Sequence, residues 1–295
     1  MRIGIAMGRD RPNWPVRRLA RAFEAKDCEV TLFCLKDVTA HLHPPKRTQY
    51  FLPRRKPLDV AAIILRSVGQ GSTDQITSRI SLLESMEFSG IRVFNNTYSH
   101  RRAKDKLATL VWLAREGIPI PRTTVTERMA AAVAATRRYG DVVSKPLRGS
   151  QGRGVFRLNE PDVAFRIFKV LQTAGQTMIV QEFINTPGRD IRVFIVGDHA
   201  IGAMYRYAKP GAWKTNIAAG GAPIACPLTP ELEQLALRAA RALQMDIAGI
   251  DVLESDSGFL VSECNSAPNW SGLQKATGVD AAEEITQYVL EKLTT

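Results

Sequence analysis

The chain has 295 residues, 45% of them hydrophobic and 23% charged, which is an ordinary composition for a globular protein. This length excludes a mini-protein and suggests roughly two packing units, and no apolar run approaches the ~18 residues of a membrane span. The formal net charge of +11 indicates an anionic partner, either a nucleic acid or anionic small molecules, and charge alone does not distinguish them.

The start of the chain and its cysteines bear on its compartment. Residues 1–7 form a short apolar run that leads directly into Arg9, Asp10 and Arg11, without the length or cleavage site of a secretory signal. The four cysteines form no CxxC pair, and the four histidines lack the spacing typical of zinc ligands. We therefore expect a cytoplasmic protein with reduced thiols and no structural metal.

Residues 1–97 alternate between strand and helix patterns. Val16, Leu19 and Phe23 recur at helical spacing, and Gly90 is placed to end a second helix. Alternating strands and helices favour a small parallel-sheet α/β domain. The predicted elements are strand 2–7, helix 16–26, strands 28–35 and 60–68, helix 78–90 and strand 91–96.

A second unit, residues 98–183, opens with an amphipathic helix that ends at Gly117, with Pro119 just beyond it. Two short strands then flank a glycine-rich segment, and a further helix and strand follow. This pattern predicts a sheet-and-helix lobe. Its predicted elements are helix 103–117, strands 141–147 and 154–158, helix 162–175 and strand 178–184.

The third unit, residues 184–295, has the pattern of antiparallel strands followed by a long helix and two more strands. No internal repeat or low-complexity linker separates the three units. The predicted elements are the strands within 190–208, helix 231–244, and strands 248–253 and 259–265.

The last two predicted strands carry a candidate metal site. A polar, glycine-containing segment joins them as in a hairpin, so Asp251 and Glu263 should lie on neighbouring strands. Side chains alternate along a strand, so Glu263 and Asn265 share a face while Cys264 points away. Mg²⁺ prefers oxygen ligands of this kind. The alternative is a set of surface acids that cap a hairpin.

The glycine-rich segment 149–154 is a candidate phosphate-binding loop. Its glycines allow a tight hairpin whose backbone N–H groups could close over phosphate oxygens. It matches neither the Walker motif nor the Rossmann fingerprint. Lys145 precedes the loop, and Pro146 keeps the strand exit extended. An ordinary flexible hairpin is the alternative interpretation.

Three separated cations, Lys106, Lys145 and Arg192, could together surround a triphosphate, although each is also compatible with a solvated face. The edge at 181–184, where a strand enters a loop, could offer backbone groups to adenine, or it is simply a strand end. No pattern supports nucleophilic catalysis, because there is no GxSxG elbow and no cysteine has a neighbouring histidine.

Taken in order, these motifs resemble the ATP-grasp superfamily, and within it the RimK-type α-L-glutamate ligase family. The resemblance covers the chain from about residue 95 to the end, and the joint order is more specific than any single motif. The motifs are DKL 105–107, KPLRGSQGRG 145–154, QEFI 181–184, DIR 190–192, KTN 214–216, GIDVL 249–253 and ECN 263–265.

The resemblance implies an α/β fold, with α+β character in its ATP-grasp part. It implies a parallel-sheet domain at 1–97 that precedes a two-lobed ATP-grasp domain, with the central lobe and glycine-rich lid at 98–183 and the C-terminal lobe with the metal site at 184–295. The implied cofactors are ATP and Mg²⁺, with Mn²⁺ as an alternative ion.

The resemblance also implies site residues. Arg192 and Arg206 would hold a carboxylate or stabilise the tetrahedral oxyanion. The Mg²⁺ ligands would be Asp251, Glu263 and Asn265. The ATP-binding residues would be Lys106, Lys145, Gly149, Ser150, Gln151, Gly152, Gly154, Glu182, Phe183, Asp190, Lys214 and Asn216, with Glu182 and Phe183 at the adenine and Asp190 near the ribose.

The implied reaction forms an amide through an acyl phosphate and adds L-glutamate to an acidic acceptor carboxylate. We also expect a homo-oligomer (dimer or tetramer) and no membrane association. One departure concerns the amino acid and the acceptor: Ala218 and Ala219 stand where the family carries His-Arg before Gly220 and Gly221. Two rival hypotheses are a basic nucleic-acid-binding protein and a nucleotide-binding module without turnover. The basic clusters are not interleaved with aromatic residues, which disfavours the nucleic-acid hypothesis.

Overall fold

The structure is a computed structural model that describes residues 1–45, 47–147, 149, 153–209, 211–215 and 222–294. Within these ranges, no helix is both long enough and apolar enough to cross a bilayer. The chain forms a mixed α/β fold with one parallel sheet and several antiparallel ones.

A four-stranded parallel sheet with strand order β2-β1-β6-β7 forms the N-terminal part. Its helices begin where the sequence supplies caps: the Asn13 side chain accepts from the N–H of Val16, and Ser72 and Gln75 form a capping box. The elements in this part are β1 Arg2–Met7, α1 Trp14–Glu24, β2 Glu29–Cys34, β3 Thr39–His41, β4 Gln49–Leu52, β5 Lys56–Pro57, β6 Ala62–Leu65, α2 Thr73–Phe88 and β7 Arg92–Phe94.

Strands β3, β4 and β5 form a small antiparallel sheet that the sequence did not predict. Each has four residues or fewer, too few for an alternating pattern to be visible. The sheet is fixed by burial of Tyr50, whose hydroxyl lies 2.7 Å from the Ser85 Oγ and 3.0 Å from the Ser89 Oγ.

The central lobe is built on an antiparallel sheet with order β10-β9-β11-β8, covered by two helices that share its core. Strand β8 and helix α5 were not predicted. The elements are α3 Thr97–Lys104, α4 Lys106–Arg115, β8 Thr123–Thr126, α5 Met129–Tyr139, β9 Val142–Pro146, β10 Phe156–Leu158, α6 Pro161–Thr173 and β11 Met178–Glu182.

The predicted single helix 103–117 is wrong at its start. The chain has extended dihedral angles at Asp105, which ends α3 and caps α4 by accepting a hydrogen bond from the Ala108 N–H. A short acidic side chain that can bond its own backbone favours a cap over a helix interior. The break places Lys106 in the first turn of α4.

A five-stranded antiparallel sheet, order β14-β13-β12-β15-β16, forms the C-terminal lobe. The predicted hairpin is confirmed, with Ser255 paired to Gly258 at its turn. The elements are β12 Arg189–Val196, β13 His199–Tyr207, β14 Ala222–Cys226, α7 Pro230–Ala242, β15 Ile247–Ser255, β16 Gly258–Asn265, α8 Ser271–Thr277 and α9 Ala281–Thr294.

The N-terminal sheet and the C-terminal lobe share one hydrophobic core. Ile3 and Phe23 belong to the same buried cluster as Phe194, Trp270 and Val289. The central lobe instead has its own cluster, built from α5, α6 and the sheet beneath them. Helices α5 and α6 and the sheet beneath them therefore pack separately, whereas Leu113 of α4 packs in a cluster with residues of the C-terminal lobe.

Candidate active site

A cavity lies between the central and C-terminal sheets. The central lobe contributes its strand ends and the start of α4, and the C-terminal lobe contributes β12, β13, β15 and β16. The charged and aromatic residues that line it are Lys106, Lys145, Arg153, Glu182, Phe183, Arg189, Asp190, Arg206, Trp213, Lys214, Asp251 and Glu263.

Two buried aspartates and two arginines form a network on the C-terminal side. Arg206 Nε and Nη2 each donate to Asp190 at 2.6 Å. Arg192 Nε and Nη2 form the same bidentate pair with Asp251, also at 2.6 Å. Arg206 also reaches Asp251 at 3.1 Å, joining the two pairs. The antiparallel register creates the network, because Asp190 pairs with Arg206 and Arg192 with Asp251 across adjacent strands.

The network keeps Asp251 ionised. Burial acts to raise the pKa of this carboxyl, but the charges and hydrogen bonds of Arg192 and Arg206 together lower the pKa below its usual value. Asp190 also accepts a hydrogen bond of 2.5 Å from the Thr215 hydroxyl. Asp251 is thus held as an anion at the cavity floor, and Asp190 lies beside it within the same hydrogen-bonded network.

The donor set of the predicted metal site faces one way. Asp251 pairs directly with Glu263 and Gly249 with Asn265, so the three side chains share a face of the sheet. Cys264 points into the core, with 1% of its surface exposed. The Asn265 Nδ2 donates to the Gly249 carbonyl at 3.4 Å, which leaves its Oδ1 as a potential ligand. This all-oxygen set fits Mg²⁺.

Lysines on the central side meet neutral groups. Lys145 Nζ donates to the Gln181 side-chain oxygen at 2.7 Å, and Lys106 Nζ donates to the Gly149 carbonyl at 3.2 Å. Among the described residues, neither lysine forms a salt bridge. Burial lowers the pKa of Lys145, while the charge of Glu263 acts in the opposite direction. This side of the cavity therefore carries positive charge without a bound carboxylate.

The edge of the central sheet carries an aromatic pair. The Phe183 and Trp213 rings meet edge to face at 6.0 Å, and the Arg157 guanidinium lies 3.7 Å from the Phe183 ring centroid. Glu182 is held by Arg122 through two hydrogen bonds of 2.8 Å. Such an edge can hold a flat, apolar ring system.

Most of the predicted site residues that the structure describes meet at this cavity. Lys214 Nζ reaches the Val155 carbonyl at 2.9 Å, and Gly149 lies on the cavity wall. Arg192 takes part through Asp251, whereas Gly154 and Asn265 lie beside the lining residues. The predicted residues outside the described ranges are Ser150, Gln151, Gly152 and Asn216, and so is the Ala218–Gly221 departure.

Among the lining residues that escaped prediction are Gln181, Trp213 and Thr215. Gln181 is 3% exposed and bridges Lys145 to the Thr123 hydroxyl. Each is a direct neighbour of a predicted residue in the sequence, and that adjacency was the only available signal. A neutral side chain that contributes to the site through its contacts alone leaves no recognisable motif in the sequence.

A central lobe facing an oxygen-rich sheet across a cationic cavity is the architecture of an ATP-grasp ligase. The profile of the RimK-like ATP-grasp domain matches residues 103–289. The chain belongs to the RimK-like ATP-grasp family, and it is an ADP-forming ligase.

Two relatives match nearly the whole chain. A tetrahydromethanopterin:α-L-glutamate ligase of Methanococcus maripaludis is 31% identical over 98% of this chain and 98% of its own length. A probable α-L-glutamate ligase of Stutzerimonas stutzeri is 32% identical over 99% of this chain and 96% of its own length. The resemblance inferred from the ordered motifs is therefore confirmed.

Solved structures share the fold. A RimK domain ATP-grasp protein of Sphaerobacter thermophilus aligns with a TM-score of 0.74 and 24% identity, covering 98% of this chain and 99% of that one. The ATP-grasp ligase PsnB, complexed with its minimal precursor, aligns with a TM-score of 0.78 and 19% identity over 98% of each chain. These alignments confirm the predicted fold class.

Proposed function

We propose that this ligase adds L-glutamate through its amine to the carboxylate of an acidic acceptor. The observation that carries the proposal is the division of charge in the cavity. Lys106 and Lys145, whose partners among the described residues are neutral, face the carboxylates of β15 and β16. A triphosphate with its metal ion would complement both sides. The relatives named as α-L-glutamate ligases support glutamate as the amine.

The reaction has two balanced steps. An acceptor carboxylate oxygen attacks the γ-phosphorus of ATP, the bond to ADP breaks, and an acyl phosphate forms. The glutamate amine then attacks the acyl carbon, the carbon–oxygen bond to phosphate breaks, and an amide, inorganic phosphate and a proton are released. Catalysis of such steps is mainly positioning and electrostatic stabilisation.

Each wall has a role in this proposal. Lys106, Lys145 and Lys214 would neutralise charge on the phosphates, with the loop from Gly149 to Gly154 closing over them. The edge at Glu182 and Phe183 would hold the adenine, with Asp190 toward the ribose. Trp213 extends this surface by its contact with Phe183.

Asp251, Glu263 and Asn265 would hold Mg²⁺, or Mn²⁺ in its place, and a bound ion would supply charge neutralisation at the phosphates. Asp251 and Asp190 accept from Nε and Nη2 of Arg192 and Arg206 and so fix both guanidinium groups, and each group keeps an Nη1 donor that these bonds do not use. Such fixed donors suit a negatively charged oxygen that develops during amide formation.

An acidic acceptor is favoured by the net charge of +11. Two further expectations also stay predictions. One is a cytoplasmic location, supported by four free, buried cysteines. The other is a homo-oligomeric state.

The test replaces one predicted metal ligand. Glu263→Gln keeps the shape of the side chain and removes its charge, so ATP- and acceptor-dependent ADP release should fall by about 10²–10³ at ordinary Mg²⁺. Glu160→Gln makes the same change at an exposed position and should leave activity intact. Full ADP release by a folded Glu263→Gln enzyme would overturn the metal assignment.

The amine and acceptor require a separate experiment. The enzyme is incubated with ATP, isotope-labelled glutamate and a cell extract, and products are searched by mass spectrometry for the mass of an added glutamyl residue. Labelled amide products that need ATP support the proposal. If labelled glutamate gives no such products but a different labelled amino acid does, that amino acid replaces glutamate as the amine, and the ligase chemistry still stands.

A further inference from the structure

A second concave site lies between α3, α4 and α7, and it shares no lining residue with the ligase cavity. Its volume of about 320 Å³ lies at the lower end of the range for small-molecule pockets. Three arginines contribute to its wall: Arg102, Arg238 and Arg241.

Arg102 is buried with an incomplete set of hydrogen bonds. Only 6% of its surface is exposed, and its guanidinium lies between the Tyr98 and Trp112 rings, at 3.6 and 3.5 Å from their centroids. Nη2 donates to the Tyr98 hydroxyl, whereas Nη1 is enclosed and has no hydrogen-bond partner among the described residues. A buried charged donor without an acceptor is costly.

The charges around Arg102 do not balance. Nη2 of Arg238 donates to the backbone carbonyls of Glu116 and Gly117, at 2.9 and 3.4 Å. The one acidic residue on the wall, Glu116, approaches Arg115 at 4.0 Å. Among the described residues, none of the three wall arginines forms a salt bridge. The wall carries three guanidinium charges against one carboxylate.

We propose that this cavity binds a small molecule carrying a phosphate group. Guanidinium groups present planar forks of N–H donors that match the oxygens of a phosphate, and a dianion would offset the excess charge of the wall. A bound phosphate would also lie beside the Arg102 guanidinium, whose charge is not offset by a salt bridge among the described residues. The limited volume favours a small ligand over a protein segment.

The test uses the two exposed arginines, because replacing Arg102 would disturb its stacking. Arg238→Ala/Arg241→Ala removes two charges from the wall. Arg137→Ala/Arg138→Ala removes two exposed charges from the last turn of α5 and serves as the matched control. The ligase cavity is first filled with Mg²⁺ and a non-hydrolysable ATP analogue, so that phosphate binding there does not contribute.

Binding of sodium phosphate and of glycerol phosphate is then measured by calorimetry at constant ionic strength. The native enzyme and the control should bind at least one of them, and the wall variant should bind it about tenfold more weakly or worse. Tighter binding of glycerol phosphate would identify a phosphate ester as the ligand, and tighter binding of sodium phosphate the free anion.

Tryptophan fluorescence gives a second readout, because Trp112 lies on the wall. The native emission should change on phosphate binding, and Trp112→Phe should lose that change. Equal affinity in the two arginine double variants, or no binding of either phosphate compound to the native enzyme at millimolar concentration, would overturn the proposal.

Discussion

The two sides of the ligase cavity carry charge in different ways. On the C-terminal side, Arg206, Asp190 and Asp251 are 3–5% exposed. Together with Arg192 they form a set of two cations and two carboxylates bound to one another, so their charges cancel within the sheet. On the central side, Lys106 and Lys145 donate to a carbonyl and an amide oxygen and form no salt bridge within the described part of the chain, so their charge remains available. Both groups of residues face the same space.

The buried arginine–aspartate network stabilises the fold, whereas the charges of Lys106 and Lys145 are available to bind an anionic ligand. Removing one member of a buried, mutually bound set strands the partner in the protein interior, which costs stability. Removing a desolvated cation that has no counter-ion relieves a desolvation penalty and costs activity instead.

Arg206→Met should destabilise the protein by about 3–5 kcal/mol, because Asp190 is then buried without its cation. Equilibrium urea unfolding measures the change. Adding Asp190→Leu should recover most of the loss, since both charges are then absent. A loss below about 1 kcal/mol in Arg206→Met would show that the pair contributes little to folding.

Lys145→Gln should lower kcat/KM for ATP by about 10²–10³ while unfolding stability stays the same or rises. A glutamine amide can still donate to the Gln181 oxygen that Lys145 now occupies. Lys169→Gln on the exposed face of α6 is the matched control and should change neither quantity. A large stability loss in Lys145→Gln would assign the lysine to the fold.

Alkaline pH should affect stability and nucleotide binding in opposite directions through Lys145. Burial lowers its pKa in the folded protein, so between that pKa and the ordinary lysine value the unfolded chain binds more protons. Its contribution to the free energy of unfolding therefore rises with pH across this window, while the loss of its charge weakens ATP binding. Comparison of the native enzyme with Lys145→Gln isolates both trends, and identical pH profiles would contradict them.

Arg122→Gln should change stability by less than about 1 kcal/mol, although its pair with Glu182 has two-pronged geometry. The Arg122 side chain is 58% exposed, so water replaces the carboxylate when the pair is lost. Thermal unfolding checks this outcome. A loss comparable with that of Arg206→Met would remove burial as the explanation for the difference between the two pairs.

Much of the site could be predicted because its chemistry is local in sequence. The hairpin that brings Asp251 beside Glu263 follows from a short polar turn and strand alternation, and both features can be read directly from the residues. Lys145 was identifiable from its place beside a glycine-rich segment. The order of the motifs along the chain then predicted the ATP-grasp fold.

The remaining features depend on contacts between distant residues. The pairing of Arg192 with Asp251 spans 59 positions, and it exists because β12 and β15 lie side by side in a given register. No local pattern in the sequence encodes that register. The same holds for the cavity around Arg102, where α3 and α4 meet α7.

The shared core of the first and last parts of the chain has a consequence for folding. Ile3 of β1 and Val289 of α9 belong to one cluster, so β1 completes its packing only after α9 has been synthesised. Contacts of such long sequence separation slow folding, and the apolar surface of the N-terminal sheet stays uncovered meanwhile. The central sheet with α5 and α6, whose cluster comes only from these segments, has no such dependence. We therefore expect it to acquire its packing while the two ends of the chain are still apart.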